Sequence, residues 1–270
     1  MTISIITVNL NNYEGLERTI KSVEAQTYKD FEWIVVDGGS TDGSRELIEE
    51  HASRIAKWVS EPDNGIYNAM NKGTRMSTGD YLLFLNSGDS LAANDVLGIT
   101  AESINNDAPK KDIYIGRENL VDKQGKILGI KQVLEEGLTM YGIYLNTIPH
   151  QASFIHRDLL FHTPYDESLK IVADNKFFLE SIVIRNASVG FLEKTISNFD
   201  CTGISRNSEK ERAIEREQAL YKMLPPRLAA NFVTLTSHTQ DYYRIRWIYN
   251  HKFAYLLFRR LTSIAMRINP

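Results

Sequence analysis

The chain has 270 residues, 43% of them hydrophobic and 24% charged, with a net charge of −3 at neutral pH. This is a globular balance, enough for one large domain or a domain with an appendage, and it gives no whole-protein electrostatic case for binding nucleic acid. The single cysteine, Cys201, excludes an internal disulfide, and no Cys/His set has zinc spacing, which suits a reducing cytoplasm.

Residues 3–8 form a short β-rich run that predicts a first buried strand. No basic stretch precedes it, so it does not read as a signal peptide. After the loop at 9–12, Leu16, Ile20 and Val23 recur at helical spacing. Residues 31–36 predict a second buried strand and 44–53 a helix. Trp58-Val59 predicts a short third strand, 66–76 a helix and 81–85 a fourth strand. Strands alternating with helices indicate a parallel sheet and an α/β fold. Beyond about Ala93, strands are expected at 113–115 and 126–130 and a helix at 174–184. The charge-rich stretch 209–217 reads as the solvated face of a helix. Trp33, Trp58 and Cys201 read as buried structural residues. No run reaches the roughly 18 apolar residues needed to span a bilayer.

In an open parallel sheet, ligands bind at the carboxyl ends of the strands. Three such ends carry acid- or glycine-rich loops, with Asp37 after the second strand, Asp63-Asn64-Gly65 after the third and Asp89 after the fourth. Carboxylates can accept from a base N–H or a ribose hydroxyl, and glycines let the backbone approach a ligand. Each loop alone is equally well explained as plain turn chemistry.

Four segments occur in the order and spacing of family 2 glycosyltransferases. They are Ser4-Ile5-Ile6-Thr7-Val8-Asn9, Val35-Val36-Asp37-Gly38-Gly39-Ser40-Thr41-Asp42-Gly43, Ser60-Glu61-Pro62-Asp63-Asn64-Gly65-Ile66-Tyr67-Asn68-Ala69-Met70-Asn71-Lys72-Gly73 and Phe84-Leu85-Asn86-Ser87-Gly88-Asp89. The chain resembles colanic-acid-type and O-antigen-type members of that family. The resemblance implies a GT-A α/β fold with a mixed central sheet at residues 1–205, followed by a helical extension at 206–270. It implies transfer with inversion from a nucleotide-sugar, UDP first, to a saccharide or lipid-linked acceptor, as in bacterial surface polysaccharide or lipopolysaccharide assembly. Val8 and Asn9 would flank the nucleotide, Asp37 would contact the nucleoside and Asp63 would lie near the base. Asp89 would hold Mg²⁺ or Mn²⁺ on the diphosphate. Asn86-Ser87-Gly88-Asp89 retains one carboxylate of the family's aspartate-rich segment, and one suffices when phosphate oxygens and water complete the shell. Met70 stands where many members carry arginine, and Lys72 would replace that charge.

An inverting transferase needs a carboxylate to take the acceptor's proton. The resemblance places it at Asp174, in Ile171-Val172-Ala173-Asp174-Asn175-Lys176, with Asp166 as the alternative; by position alone an N-cap is the better reading of Asp174, and the resemblance reverses that preference. His150 is expected on the acceptor side. Residues 242–270 hold six basic residues, from Arg244 to Arg267, and no acidic one. With Trp247 and the stripe Leu257, Leu261, Ile264 and Ile268, they predict either docking on an anionic cytoplasmic membrane face or packing against the catalytic domain or a second copy in a homo-oligomer. Two other readings stay open on the residues: a sugar-phosphate nucleotidyltransferase, disfavoured because Asn9-Leu10-Asn11-Asn12 lacks a Gly/Arg/Lys loop, and a non-catalytic nucleotide-sugar-binding or scaffold subunit.

Overall fold

A computed structural model describes residues 1–201, 209–237, 251 and 256. The elements run β1 (Ile3–Asn9), α1 (Tyr13–Glu24), β2 (Phe31–Asp37), α2 (Ser44–Glu50), β3 (Lys57–Ser60), α3 (Ile66–Met76), β4 (Tyr81–Phe84), β5 (Ser90–Leu91) and α4 (Val96–Asn106). They continue with β6 (Ile113–Val121), β7 (Ile127–Lys131), α5 (Met140–Leu145), β8 (Ser153–His156), α6 (Arg157–His162), α7 (Ala173–Phe178), β9 (Val189–Asp200), α8 (Glu209–Met223) and α9 (Pro226–Ser237). The chain divides into two compact units, Met1–Ala219 and Leu220–Pro270.

The first unit is built on a nine-stranded sheet in the order β3-β2-β1-β4-β8-β6-β9-β5, with β7 paired to β6. The strands β3, β2, β1 and β4 are parallel, and β8 joins β4 antiparallel. Every residue of β1 is buried, as expected of a central strand covered on both faces. One face receives Leu16, Ile20 and Val23 of α1, which pack with Ile3, Ile5, Trp33 and Val35. The Trp33 indole donates to Thr7 Oγ1 at 3.1 Å, which satisfies its one polar atom in the core.

Several expectations are altered in detail. The strand at 113–115 extends to Val121, and the twelve-residue β9 was not anticipated. The helix at 174–184 is α-helical only to Phe178, then opens into a π-helical turn over Leu179–Ile184. The face of α8 is not merely solvated. Glu215 accepts the backbone amides of Lys170 and Ile171 at 2.9 and 2.8 Å, and Arg216 donates to Thr147. Cys201 and Trp33 are buried, and Trp58 packs on the core. Trp247 and the basic stretch lie outside the described residues, apart from His251 and Leu256. Among the described residues, no helix is long and apolar enough to cross a membrane.

Candidate active site

The loops after β1, β2, β3 and β4 meet because the end of β1 bonds to both of its neighbours. Val8 O accepts from Ser87 N at 3.0 Å, and Asn9 O accepts from Gly38 N at 2.9 Å. Val8 is buried, so it would meet a ligand through its backbone and the loops it fixes.

Asp37 has no exposed surface, and both its oxygens face inward. Oδ1 accepts from Asn9 Nδ2 at 2.9 Å and from Ser40 Oγ. Oδ2 accepts from Ser60 Oγ at 2.7 Å, Ser40 N at 2.9 Å and Gly39 N at 3.2 Å. Burial pushes the carboxyl up, but the hydroxyls of Ser40 and Ser60 and the Ser40 amide outweigh it and hold the pKa below the usual range. Asp37 thus ties the ends of β1, β2 and β3 to one another. Asn9 Oδ1, by contrast, is a buried acceptor with no protein donor.

Asp63 closes its own turn by accepting Gly65 N at 2.8 Å, and Oδ2 leans over Gly38. A Cβ at Gly38 would meet that oxygen at 2.6 Å, so a side chain there would displace the Asp63 carboxylate. Gly65, with φ +108°, takes a left-handed conformation that starts α3. Lys72 is paired with Glu61 at 2.6 Å rather than presented as a free cation.

Helix α3 carries Tyr67, whose hydroxyl donates to Asp174 Oδ1 at 2.9 Å. The other carboxylate oxygen lies 3.2 Å from His150 Nδ1, and His150 Nε2 lies 3.3 Å from Asn86 Nδ2. A continuous path thus runs Tyr67–Asp174–His150–Asn86, from α3 to the loop after β4. With Nδ1 donating to Asp174, neutral His150 accepts from Asn86 through Nε2. That orientation leaves Asn86 Oδ1 buried without a donor. Asp174 is buried, and burial raises its pKa, but the His150 and Tyr67 hydrogen bonds lower it further and keep it ionised. Burial lowers His150, and Asp174 more than reverses this, so its pKa is raised. The α7 backbone is fixed by Phe177 and Phe178 in the core and by Asn175 Nδ2 donating to Ile143 O at 2.7 Å. Asp166, the alternative base, accepts from Ser168 N in its own turn.

Asp89 is buried, and its pKa is pushed up to about 7 by burial, with Glu118 and Asp200 adding repulsion against the attraction of His150. Its Oδ1 accepts Asp200 N at 3.2 Å. Among the described residues no group of three or more His, Cys, Asp or Glu side chains is arranged to hold a metal ion. One buried carboxylate, with the orphaned Asn86 oxygen three residues earlier in the same loop, fits a cation that arrives with a diphosphate better than a preformed cage.

Tyr67, Glu118, Lys131 and Arg216 join this region without having been singled out from the sequence. Glu118 lies opposite Lys131 across β6 and β7, is buried, and has its pKa pushed up to about 7 by that burial. Projecting the hairpin register back from Val121 and Ile127 would set Glu118 opposite Ile130, and the shift at Leu120/Val121 is what brings it opposite Lys131.

Comparison with known proteins agrees with this architecture. Glycosyl transferase family 2 matches residues 4–120. An uncharacterised glycosyltransferase of Mycobacterium tuberculosis (strain H37Rv) is 33% identical over 211 residues, 77% of this chain and 78% of that protein. A PGL/p-HBAD biosynthesis glycosyltransferase of Mycobacterium bovis is 32% identical over 181 residues, 64% of this chain and 67% of its own. Among solved structures, S. aureus TarS 1–349 in complex with UDP-GlcNAc superposes with a TM-score of 0.61 at 18% identity, covering 85% of this chain and 69% of that one. The mannosyltransferase PcManGT from Pyrobaculum calidifontis, in complex with GDP-Man and Mn²⁺, gives 0.61 at 16% identity over 98% of this chain and 80% of that one. These likenesses fix the fold as GT-A.

Proposed function

The chain belongs to glycosyl transferase family 2, and from that premise we propose that it transfers a sugar, with inversion, from a nucleoside diphosphate sugar to an acceptor hydroxyl. The observation that carries this reading is the Tyr67–Asp174–His150–Asn86 path. It places one ionised, oriented carboxylate within a few bonds of the loop that would meet the diphosphate.

Asp174 takes the proton of the acceptor hydroxyl as that oxygen attacks the anomeric carbon. The bond from that carbon to the diphosphate oxygen breaks on the opposite face, and the nucleoside diphosphate leaves. Tyr67 and His150 hold the carboxylate in place and ionised. Asn9 Oδ1 offers an acceptor to the nucleoside, and Asp63 and the loop set by Asp37 line the same edge. A divalent cation, Mg²⁺ or Mn²⁺, would be held by Asp89 with Asn86 Oδ1, and when bound would supply positive charge against the diphosphate.

UDP-sugars are the first donors to test. TarS is described in complex with UDP-GlcNAc, whereas PcManGT is described with GDP-Man. The acceptor is a saccharide or lipid-linked saccharide of the bacterial surface, a reading supported by the named role of the mycobacterial relative in PGL/p-HBAD biosynthesis. The basic stretch 242–270 would hold the enzyme on the anionic inner face of the membrane. A panel of nucleotide-sugars scored by thermal shift with and without Mn²⁺ tests the donor assignment, since a ligand that binds only the folded state raises apparent stability. A panel in which no nucleotide-sugar raises the midpoint would reject it.

A further inference from the structure

The β6–β7 hairpin turns apolar side chains outward. Glu118 is buried and lies opposite Lys131, so this pair occupies the inner face of the hairpin. Successive residues of a strand point to opposite faces, and Ile130, opposite Asn119, therefore belongs to the outer one. Ile130 is 62% exposed. Leu128, the extra residue where the register shifts, is 56% exposed, and Ile127 is 55% exposed. A sheet with one face in water ordinarily shows the reverse, apolar side chains inward and charged ones outward. Single apolar residues scattered on a surface need no explanation, but Ile127, Leu128 and Ile130 crowd one short stretch.

The hairpin also stands at the site. Strand β8 is antiparallel to both β4 and β6, so β6 runs the same way as β4 and its carboxyl end leaves the same edge of the sheet. Ile155 of β8 pairs with Leu82 of β4 and with Ile113 of β6, which sets the two strands level there. Strand β4 ends at Phe84, whereas β6 continues to Val121. Val121 is paired with Asp200, whose amide donates to Asp89 Oδ1 at 3.2 Å. The turn of the hairpin therefore begins one strand away from the loop that carries Asp89.

The tip is basic. Lys123 and Lys126 are exposed. The one acid of the turn, Asp122, is engaged within it, where Oδ1 accepts Gln124 N at 3.0 Å and Lys126 N at 2.9 Å. Glu135 and Glu136 are also exposed, but they follow the opposite end of β7 in a separate turn. Aliphatic side chains flanked by lysines suit the headgroup region of a bilayer, where the aliphatic groups reach the acyl boundary and the ammonium groups stay with the phosphates. An edge strand can also pair with a second copy, and β7 pairs only with β6 among the described strands. Lysines at an edge oppose such pairing and attract an anionic surface, which favours lipid as the occupant.

We propose that the β6–β7 hairpin docks on an anionic lipid surface through Ile127, Leu128 and Ile130, with Lys123 and Lys126 on the headgroups. This rests on the membrane reading above and adds to it a contact beside the site itself. The basic stretch 242–270 would hold the chain on the bilayer, and the hairpin would set the edge of the site against it. A lipid-linked saccharide would then reach Asp174 without leaving the membrane.

Leu128→Trp in the full-length protein, compared with wild type, reads the contact at that residue. On vesicles of phosphatidylcholine and phosphatidylserine the added indole should shift to shorter emission wavelengths and be quenched by brominated acyl chains. Ile127→Asp combined with Ile130→Asp should weaken vesicle binding tenfold or more, while UDP affinity stays within twofold. If that variant does not fold, Lys123→Gln combined with Lys126→Gln, both on the exposed turn, takes its place and should weaken binding to the same vesicles severalfold. Vesicle binding with an indole that stays in water overturns this inference and leaves the basic stretch as the contact. A wild type that binds no vesicles overturns both membrane readings. A concentration-dependent dimer that Ile130→Asp splits would assign the face to a second copy and overturn the lipid contact.

Discussion

His150 Nδ1 lies 3.2 Å from Asp174 Oδ2, so the imidazole that touches the donor-side loop through Asn86 also orients the carboxylate proposed to deprotonate the acceptor. Asp174→Asn keeps the shape and the Tyr67 hydrogen bond but removes the base. Transfer should fall by at least about a hundredfold, the lower range for general-base catalysis, with UDP affinity unchanged by calorimetry. A near-normal transfer rate would move the role to Asp166 or elsewhere.

Asp89→Asn should remove the dependence of UDP binding on Mn²⁺ while leaving metal-free binding in place, because an amide is a poorer ligand for a hard cation than a carboxylate. Titration of UDP with Mn²⁺ and with EDTA reads both terms. Equal affinities for the wild type under the two conditions would remove the cation from the proposal.

Asp37→Ala should destabilise the fold more than it impairs any single ligand contact. Asn9, Ser40, Ser60 and Gly39 all donate to this carboxylate. A buried donor left without an acceptor costs roughly 1–3 kcal/mol. Urea unfolding should therefore show a loss of about 3 kcal/mol or more. An unchanged midpoint with weakened UDP binding would return Asp37 to direct contact with the nucleoside.

Glu118 gives a pH signature. Its folded-state pKa of about 7 lies above the ordinary 4.5, so the folded chain holds an extra proton between those values. Its contribution to stability is complete below the ordinary value and is lost as pH rises through about 7. Glu118→Gln should match the wild type near pH 4 and gain on it at pH 8, by a few kcal/mol at most given about 1.4 kcal/mol per pKa unit. A variant weaker than wild type at pH 8 would mean that attraction to Lys131 outweighs burial.

The basic stretch beyond residue 241 should bind anionic vesicles and release them in high salt, since exposed charges are screened within about 10 Å at 0.1 M. Replacing Arg259, Arg260 and Arg267 by Gln in the full-length protein should abolish co-sedimentation with phosphatidylserine-containing liposomes. Binding that survives the replacement and high salt would point to apolar packing instead.

The first ninety residues were legible because β1, β2 and β4 are short, largely buried runs, and a loop of Asp, Asn and Gly follows β2, β3 and β4. The register that brings Asp37, Asp63 and Asp89 to one edge follows from parallel pairing. Legibility failed where tertiary context decides. In β9, Glu193, Lys194 and Asn198 interrupt the apolar pattern. The pairing of Glu118 with Lys131 depends on a register shift at Leu120/Val121 that no periodicity announces. Arg216 sits in a charge-rich helical stretch, so only packing shows that it reaches Thr147.

Helix α3 lies in the half of the sequence that carries the family's segments, yet its hydrogen bonds run to the other half. Asn71 holds Tyr165 by two backbone bonds of 2.9 and 3.0 Å, Asn68 and Asn71 share the Glu167 carboxylate, and Tyr67 reaches Asp174. The two halves of the sequence are therefore not interchangeable cassettes. A hybrid joining residues 1–120 of this chain to the remainder of a relative inherits Tyr67, Asn68 and Asn71 from one parent and their partners from the other. Recombination in nature or in the laboratory can trade acceptor preference only between parents that agree at both ends of these bonds.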